Sequence, residues 1–348
     1  MRATGVAAAL TVLGMAVASP TADAEPVVEP VAADPSVVRA DDGKYYMYTT
    51  ADDWGDGNGV REMAIFESTD LVEWSEAGTV FDDRPSWVPD GAGLWAPDVH
   101  SANGKYNLYY SVGGVSDPCI GYATAPTPTG PWTDLGREVF CASDVGVGGT
   151  IDPYVWSNGN SKTIFVGNFK GIFAIPLNSA GTEPAGDPVQ VADKRFEAAY
   201  VKQHGGFYYL FVSAGNCCRA ENTAYRVLVG RSAKLTGPYL DRKGQDLNEG
   251  GGALILAGDD KYAGPGHNAI ATDDAGDDWI VYHATPRNDL YLDSGVQRRE
   301  GFIDKIEWAN GWPEVGDGSP SSTSDEVPDV DQPDEDALSE ENLVVSVQ

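Results

Sequence analysis

The stretch D-P-S-V-V-R-A-D-D-G-K-Y-Y-M-Y, residues 34–48, holds a short apolar run opened by a carboxylate, then a glycine turn, then an aromatic strand. The turn and aromatic strand return four more times, as N-G-K-Y-N-L-Y-Y at Asn103, N-G-N-S-K-T-I-F-V at Asn158, G-G-F-Y-Y-L-F-V at Gly205 and G-D-D-W-I-V-Y-H at Gly276. Counted from Gly43, Gly104, Gly159, Gly206 and Gly276, the periods are 61, 55, 47 and 70 residues. A four-stranded propeller blade repeats at roughly 40 to 50 residues, so five blades with longer loops account for the spacing. Seven to nine residues before each glycine stand D-P-S-V-V, A-P-D-V, D-P-Y-V, E-A-A-Y-V and G-H-N-A-I, which puts Asp34, Ala96, Asp152, Glu197 and His267 in one equivalent slot. Equivalent positions on innermost propeller strands face one axis. Three carboxylates are therefore expected to converge.

Each blade repeats a second apolar strand after its aromatic one: A-I-F-E-S-T-D-L-V-E-W, I-G-Y-A-T-A-P-T-P-T-G-P-W, G-I-F-A-I-P-L, V-L-V-G-R-S-A-K-L-T-G-P-Y and G-F-I-D-K-I-E-W-A-N-G-W-P. Several end in a Pro or Gly turn followed by an aromatic residue, as outer strands do where a blade reverses. No long amphipathic helix with 3.6-residue periodicity occurs. A β-sandwich would place strands every 8 to 12 residues without a long repeat. The chain is thus expected to be all-β, a five-bladed β-propeller over residues 25–315.

Residues 1–24 carry a basic start at Arg2, an apolar run from Val6 to Ala18 and A-D-A at 22–24, the pattern of a cleavable secretory signal. The run is too short to span a bilayer. A soluble, secreted chain starting at Glu25 is expected, and no membrane insertion. Four cysteines make an even set with three possible pairings. Cys119 and Cys141 lie in neighbouring loop-rich segments that a bridge could join, while adjacent Cys217 and Cys218 could form a vicinal ring or stay thiols.

The formal net charge is −30, which opposes nucleic acid or an anionic membrane as partner and suits a neutral substrate. Ten acids and no Lys or Arg follow Val315, so residues 316–348 are expected to be a disordered acidic tail. The excess of acids over ten lysines also suits salt tolerance. A monomer is expected.

Asp34, Asp152 and Glu197 open strands that are otherwise apolar, S-V-V, Y-V-W and A-Y-V. Carboxylates entering buried strands are costly unless paired or functional. Hydrolysis of a glycosidic bond needs one carboxylate ionised and another carboxyl protonated at the working pH.

At these residues the chain resembles the family 43 glycoside hydrolases, five-bladed propellers that cut arabinan and xylan. The resemblance covers Val31 to Val315 and rests on A-D-P-S-V-V, L-W-A-P-D-V, Y-Y-S-V-G-G ahead of I-G-Y-A-T, T-I-D-P-Y-V, F-V-G-N-F-K-G-I, F-E-A-A-Y-V, G-P-G-H-N-A-I and D-K-I-E-W-x-x-G-W-P. The segment from F-Y-Y-L-F-V-S-A-G-N-C-C-R to T-G-P-Y is most similar to the endo-1,5-α-L-arabinanases. The resemblance implies Asp34 as general base, Glu197 as general acid and Asp152 as the carboxylate that orients the acid and raises its pKa, with inversion at the anomeric carbon. It also implies a hydrated metal ion, often calcium, near His267; the alternative is a histidine that hydrogen-bonds Asp152. A lone imidazole is a poor calcium site, so water would supply most ligands. Arg299 matches an arginine placed near the pocket, with Arg298 adjacent. Trp95 and Phe169 are the candidate sugar-stacking aromatics, and Trp54 and Trp87 are weighed as blade packing or stacking. His283 is read as structural or channel-facing, His100 and His204 as loop residues. Ala33 stands where a histidine is common in the family, Lys170 where an aromatic is, and Thr285-Pro286 follow Y-H-A; these departures bear on subsites.

The implied substrate is a neutral plant cell-wall polysaccharide, arabinan or arabinoxylan. An exo-acting α-L-arabinofuranosidase or β-xylosidase is the near alternative, and a carbohydrate-binding propeller without catalysis is the alternative from another class.

Overall fold

The computed structural model describes residues 25–102, 104–321 and 326–330. The segment read as an export signal and most of the acidic tail lie outside them. Among the described residues five sheets follow one another in chain order. Blade 1 is Ser36–Arg39, Tyr45–Tyr48, Ala64–Ser68 and Ser75–Thr79; blade 2 is Gly93–Ala102, Lys105–Gly113, Cys119–Ala125 and Thr133–Asp134, with Phe140–Cys141 also on its third strand. Blade 3 is Tyr154–Asn158, Ser161–Asn168, Gly171–Leu177 and Val189–Ala192, and blade 4 is Phe196–His204, Phe207–Ala214, Arg226–Ser232 and Ala253–Ala257. Blade 5 is Tyr262–Thr272, Asp278–Pro286, Glu300–Ala309 and Trp312–Val315. Within each blade consecutive strands pair antiparallel. The chain is the expected five-bladed propeller.

The aromatic second strands explain why the ring closes. Successive side chains of a strand point to opposite faces, and here both faces are buried. Tyr46 and Tyr48 pack towards blade 2, while Tyr45 and Met47 pack towards blade 5. Leu210 and Val212 face blade 3, and Tyr209 and Phe211 face blade 5. Tyr109, Ile164 and Val166 fill the junction of blades 2 and 3. Five apolar clusters thus lie one at each junction between neighbouring blades.

The segment leading into blade 1 lies along blade 5: Val27 N–H donates to the Gly301 carbonyl (2.7 Å), and Gly301 N–H donates to that of Val28 (2.8 Å). Cys119 and Cys141 are bridged where they stand opposite each other in blade 2. Cys217 and Cys218 form the vicinal ring. Part of the segment expected to be a disordered tail lies against blade 5, where Asp329 N–H donates to Asp273 Oδ2 (3.1 Å) and Val330 packs on the cluster between blades 5 and 1. No helix among the described residues is long and apolar enough to cross a membrane.

Candidate active site

One backbone device recurs where each first strand meets the axis. Asp34, Ala96, Asp152, Ala198 and His267 all have left-handed φ, between 46° and 54°, a conformation that costs of order 1–3 kcal/mol for each residue and persists only when its surroundings hold it. At four blades the holding group is a side chain from the second strand of the neighbouring blade or, for Thr50, from just beyond its end. Asp34 N–H donates to His283 Nδ1 (3.1 Å), Ala96 N–H to Thr50 Oγ1 (2.9 Å), Asp152 N–H to Ser111 Oγ (2.9 Å) and His267 N–H to Ser213 Oγ (2.9 Å).

The position matching Thr50, Ser111, Ser213 and His283 in blade 3 is Gly167, since Tyr154 pairs with Phe165 as Ser36 pairs with Tyr48. A Cβ at Gly167 would fall 2.1 Å from the Gly171 carbonyl oxygen. With no side chain there, Ala198 N–H donates instead to Asp152 Oδ2 (3.1 Å). Asp152 thereby holds the turn that carries the neighbouring Glu197.

This corrects the sequence alignment by one residue. Ala198, not Glu197, occupies the slot of blade 4. The register shifts at the same place in blades 2, 4 and 5, between Trp95 and Asp98, Glu197 and Tyr200, and Gly266 and Ala269, so Ala198-Ala199-Tyr200-Val201 matches Asp152-Pro153-Tyr154-Val155 and Glu197 stands one residue ahead of the slot. Glu197 nonetheless lies within the field of the other carboxylates, with the charges of Asp152 and Asp34 both acting on its carboxyl.

Asp34 is buried and held on both oxygens. His267 Nδ1 lies 3.2 Å from Oδ1, while Oδ2 accepts from Thr50 Oγ1 (2.6 Å) and Arg299 Nη1 (3.0 Å). His267 therefore pairs with Asp34, not with Asp152 as one expectation had it. Burial alone would raise the Asp34 carboxyl, but the Arg299 guanidinium, then His267 and His283, holds it well below the usual carboxylate range. Burial lowers His283 to about 3; its Nδ1 accepts the Asp34 amide proton, so its 3.5 Å approach to Asp34 Oδ1 is a contact between a neutral ring and an anion. Burial would also lower His267, but Asp34 and Asp152 raise it above the ordinary histidine range.

Glu197 is under the opposite field. Burial, reinforced by the Asp152 charge, pushes its carboxyl up to about 8, against a hydrogen bond from Tyr225 and the field of His267. Asp152 itself is pushed up to about 6, chiefly by burial, with His267 opposing and Asp34 adding to the rise. Near neutral pH Asp34 is thus ionised and Glu197 protonated, the polarised pair from which acid and base roles are assigned.

Arg299 reaches the pocket as expected and also binds Asp52 Oδ2 (3.1 Å). Trp95 is half-buried next to Ala96, with its indole lying over the backbone of Gly93 and Gly113, where a Cβ would fall 1.9 and 2.1 Å from the ring. Phe169 stands 40% exposed in the turn two residues beyond Gly167. Trp54 stacks on Phe66 under Arg61, and Trp87 Nε1 donates to Asp134, so both serve blade packing. His100 and His204, expected in loops, lie in the first strands of blades 2 and 4, where His100 stacks on Tyr109 and His204 on Trp308.

No group of three or more His, Cys, Asp or Glu among the described residues is disposed to hold a metal ion. A calcium ion at His267 would rest on one imidazole and water, and His267 Nδ1 is already committed to Asp34.

Thr50, Asp52, Tyr225 and the contact of His283 escaped the sequence reading. A signal for some of them exists: Thr50, Ser111, Ser213 and His283 each stand seven residues after the repeat glycine.

Residues 24–313 match the family model described as glycosyl hydrolases family 43. The chain is 32% identical over 314 residues to an extracellular exo-α-(1→5)-L-arabinofuranosidase of Cellvibrio japonicus, covering 81% of this chain and 85% of the relative. It is 32% identical over 268 residues to an extracellular endo-α-(1→5)-L-arabinanase of Bacillus subtilis, covering 73% and 80% of the two chains. Among solved structures, the α-L-arabinanase of Cellvibrio cellulosa complexed with arabinohexaose superposes with a TM-score of 0.72 at 29% identity, over 85% of this chain and 96% of that one. With its propeller, its three convergent carboxyl groups and this match over most of its length, the chain belongs to glycosyl hydrolases family 43 and is a glycoside hydrolase.

Proposed function

We propose that this chain hydrolyses α-1,5-linked L-arabinofuranosyl bonds of arabinan by a single displacement with inversion. The observation that carries the reading is the opposite polarisation of Asp34 and Glu197 around one axis. Glu197 gives its proton to the leaving glycosidic oxygen as the bond from that oxygen to the anomeric carbon breaks. Asp34 takes a proton from the water whose oxygen bonds to the same carbon from the other face. Asp152 keeps Glu197 protonated by its charge and fixes its turn through the Ala198 amide. Asp34 then returns its proton to solvent and Glu197 is reprotonated, which completes the cycle. Trp95 and Phe169 are proposed as sugar-stacking surfaces, in keeping with their partial exposure.

Arabinan is favoured over xylan because relatives named for the α-1,5-arabinan linkage match along most of the chain. An endo mode follows the Bacillus subtilis relative and an exo mode the Cellvibrio japonicus one; the endo mode is the first reading. Export is supported by the pattern of residues 1–24 and by the extracellular names of both relatives.

The test is chromatography of products after incubation with linear arabinan, debranched arabinan, arabinoxylan and xylo-oligosaccharides, with Glu197→Gln as control. Mixed arabino-oligosaccharides from linear arabinan, absent in the control, are expected. Arabinose alone would assign the exo mode, and no product from any substrate would overturn the proposal.

A further inference from the structure

Arg299 is a bridge as well as a partner of Asp34. Its side chain is about nine-tenths buried and spans two carboxylates, Nη1 at 3.0 Å from Asp34 Oδ2 and Nη2 at 3.1 Å from Asp52 Oδ2. Asp52 comes from a two-stranded ribbon, Asp52–Asp53 with Val60–Arg61, inserted between the second and third strands of blade 1. We infer that Asp52 is a positioning residue for the base: it holds the second arm of the Arg299 guanidinium so that the first stays on Asp34, and its charge offsets part of that cation's pull.

The reasoning follows from what a base must do. Planar guanidinium forks recognise carboxylates with fixed geometry, so a second carboxylate on the far nitrogen sets the plane of the fork and the direction from which it meets Asp34. A carboxylate facing an undivided guanidinium and an imidazolium is a poor proton acceptor. The titratable and charged groups facing Asp34 are Arg299, His267 and His283 from blade 5, Asp152 from blade 3, Glu197 and Tyr225 from blade 4 and Asp52 from blade 1. Of the three carboxyl groups, only Asp52 is tied to Arg299 by a direct contact besides Asp34 itself. Removing its charge leaves Arg299 with one anion, strengthens that pair and weakens the base.

This rests on the reading of Asp34 as the general base, so Asp34→Asn is run beside it. For Asp52→Asn, kcat is expected to fall about 10- to 100-fold, the scale of a small misplacement at a reacting group. KM should stay within about threefold, and the acid limb of kcat/KM, which reports the base of the free enzyme, should move to lower pH while the alkaline limb stays. Asp52→Glu, which keeps the charge, should restore the acid limb. Melting curves show whether each variant is folded; if Asp52→Asn is not, Asp52→Ser is read the same way. An unshifted acid limb, or a rise in KM with kcat unchanged, overturns the inference, the second outcome making Asp52 a substrate contact. If Asp34→Asn keeps its turnover, the assignment of the base fails. If Asp34→Asn is inactive while Asp52→Asn shows no shift, the inference alone fails.

Discussion

At Glu197 removal from water and the nearby Asp152 charge disfavour the ionised carboxylate, whereas at Asp34 a guanidinium and an imidazole outweigh the same burial. The consequences are measurable as a pH profile. The acid limb of kcat/KM should lie below the usual carboxylate range, and activity should fall as pH rises through about 8, where Glu197 loses its proton. Asp152→Asn keeps an acceptor for the Ala198 amide but removes the charge, so its alkaline limb should move to lower pH with the fold intact. Glu197→Gln should lower kcat by about 10²- to 10⁴-fold. The same residue makes a stability prediction of definite sign. Its folded-state pKa of about 8 lies above the reference value of 4.5, so the folded form binds more protons between these values and stability falls as pH rises through that window. Glu197→Gln should therefore melt at a higher temperature than the parent chain at pH 8, with the difference vanishing near pH 4. An equal gap at both pH values would show that the carboxyl is not buried as described.

The recurring element is a left-handed residue at the head of each first strand, tied by its amide to the neighbouring blade. If those ties hold the strain, Ser213→Ala should orphan the part-buried His267 amide and cost about 1–3 kcal/mol in urea unfolding. Gly167→Ser restores the hydroxyl that other blades use but drives its Cβ into the Gly171 carbonyl. It should destabilise by more than about 2 kcal/mol and reduce activity by competing for the Ala198 amide. At this scale the sequence was readable where periodicity speaks. Glycine turns and alternating aromatics marked the strands, and carboxylates opening apolar strands marked Asp34, Asp152 and the neighbourhood of Glu197. What it misplaced was Glu197 by one residue: matching carboxylate to carboxylate put Glu197 in the slot, whereas matching Ala198-Ala199-Tyr200-Val201 to Asp152-Pro153-Tyr154-Val155 gives the slot to Ala198. Asp52 and Tyr225 sit in segments outside the repeat, so their approach to the carboxyl groups depends on loop paths that no period encodes.

Across the whole molecule, apolar packing lies at all five junctions, and the ring is sealed where the segment before blade 1 pairs with blade 5. Closure is what brings Asp34 of blade 1 to Arg299, His267 and His283 of blade 5. The Cys119–Cys141 bridge, separated by 22 residues within blade 2, contributes locally; replacing both cysteines with serine should cost roughly 3 kcal/mol by loop-closure entropy and leave kcat unchanged. The central claim is that carboxyl groups from blades 1 and 4 act from opposite faces of one sugar. Proton NMR of the first-formed reducing end during hydrolysis of an α-1,5-arabino-oligosaccharide tests it most directly. Initial appearance of the β-anomer, followed by mutarotation to the mixture, is the predicted result; initial appearance of the α-anomer would contradict the account, because it would require a covalent glycosyl intermediate on one of these carboxylates.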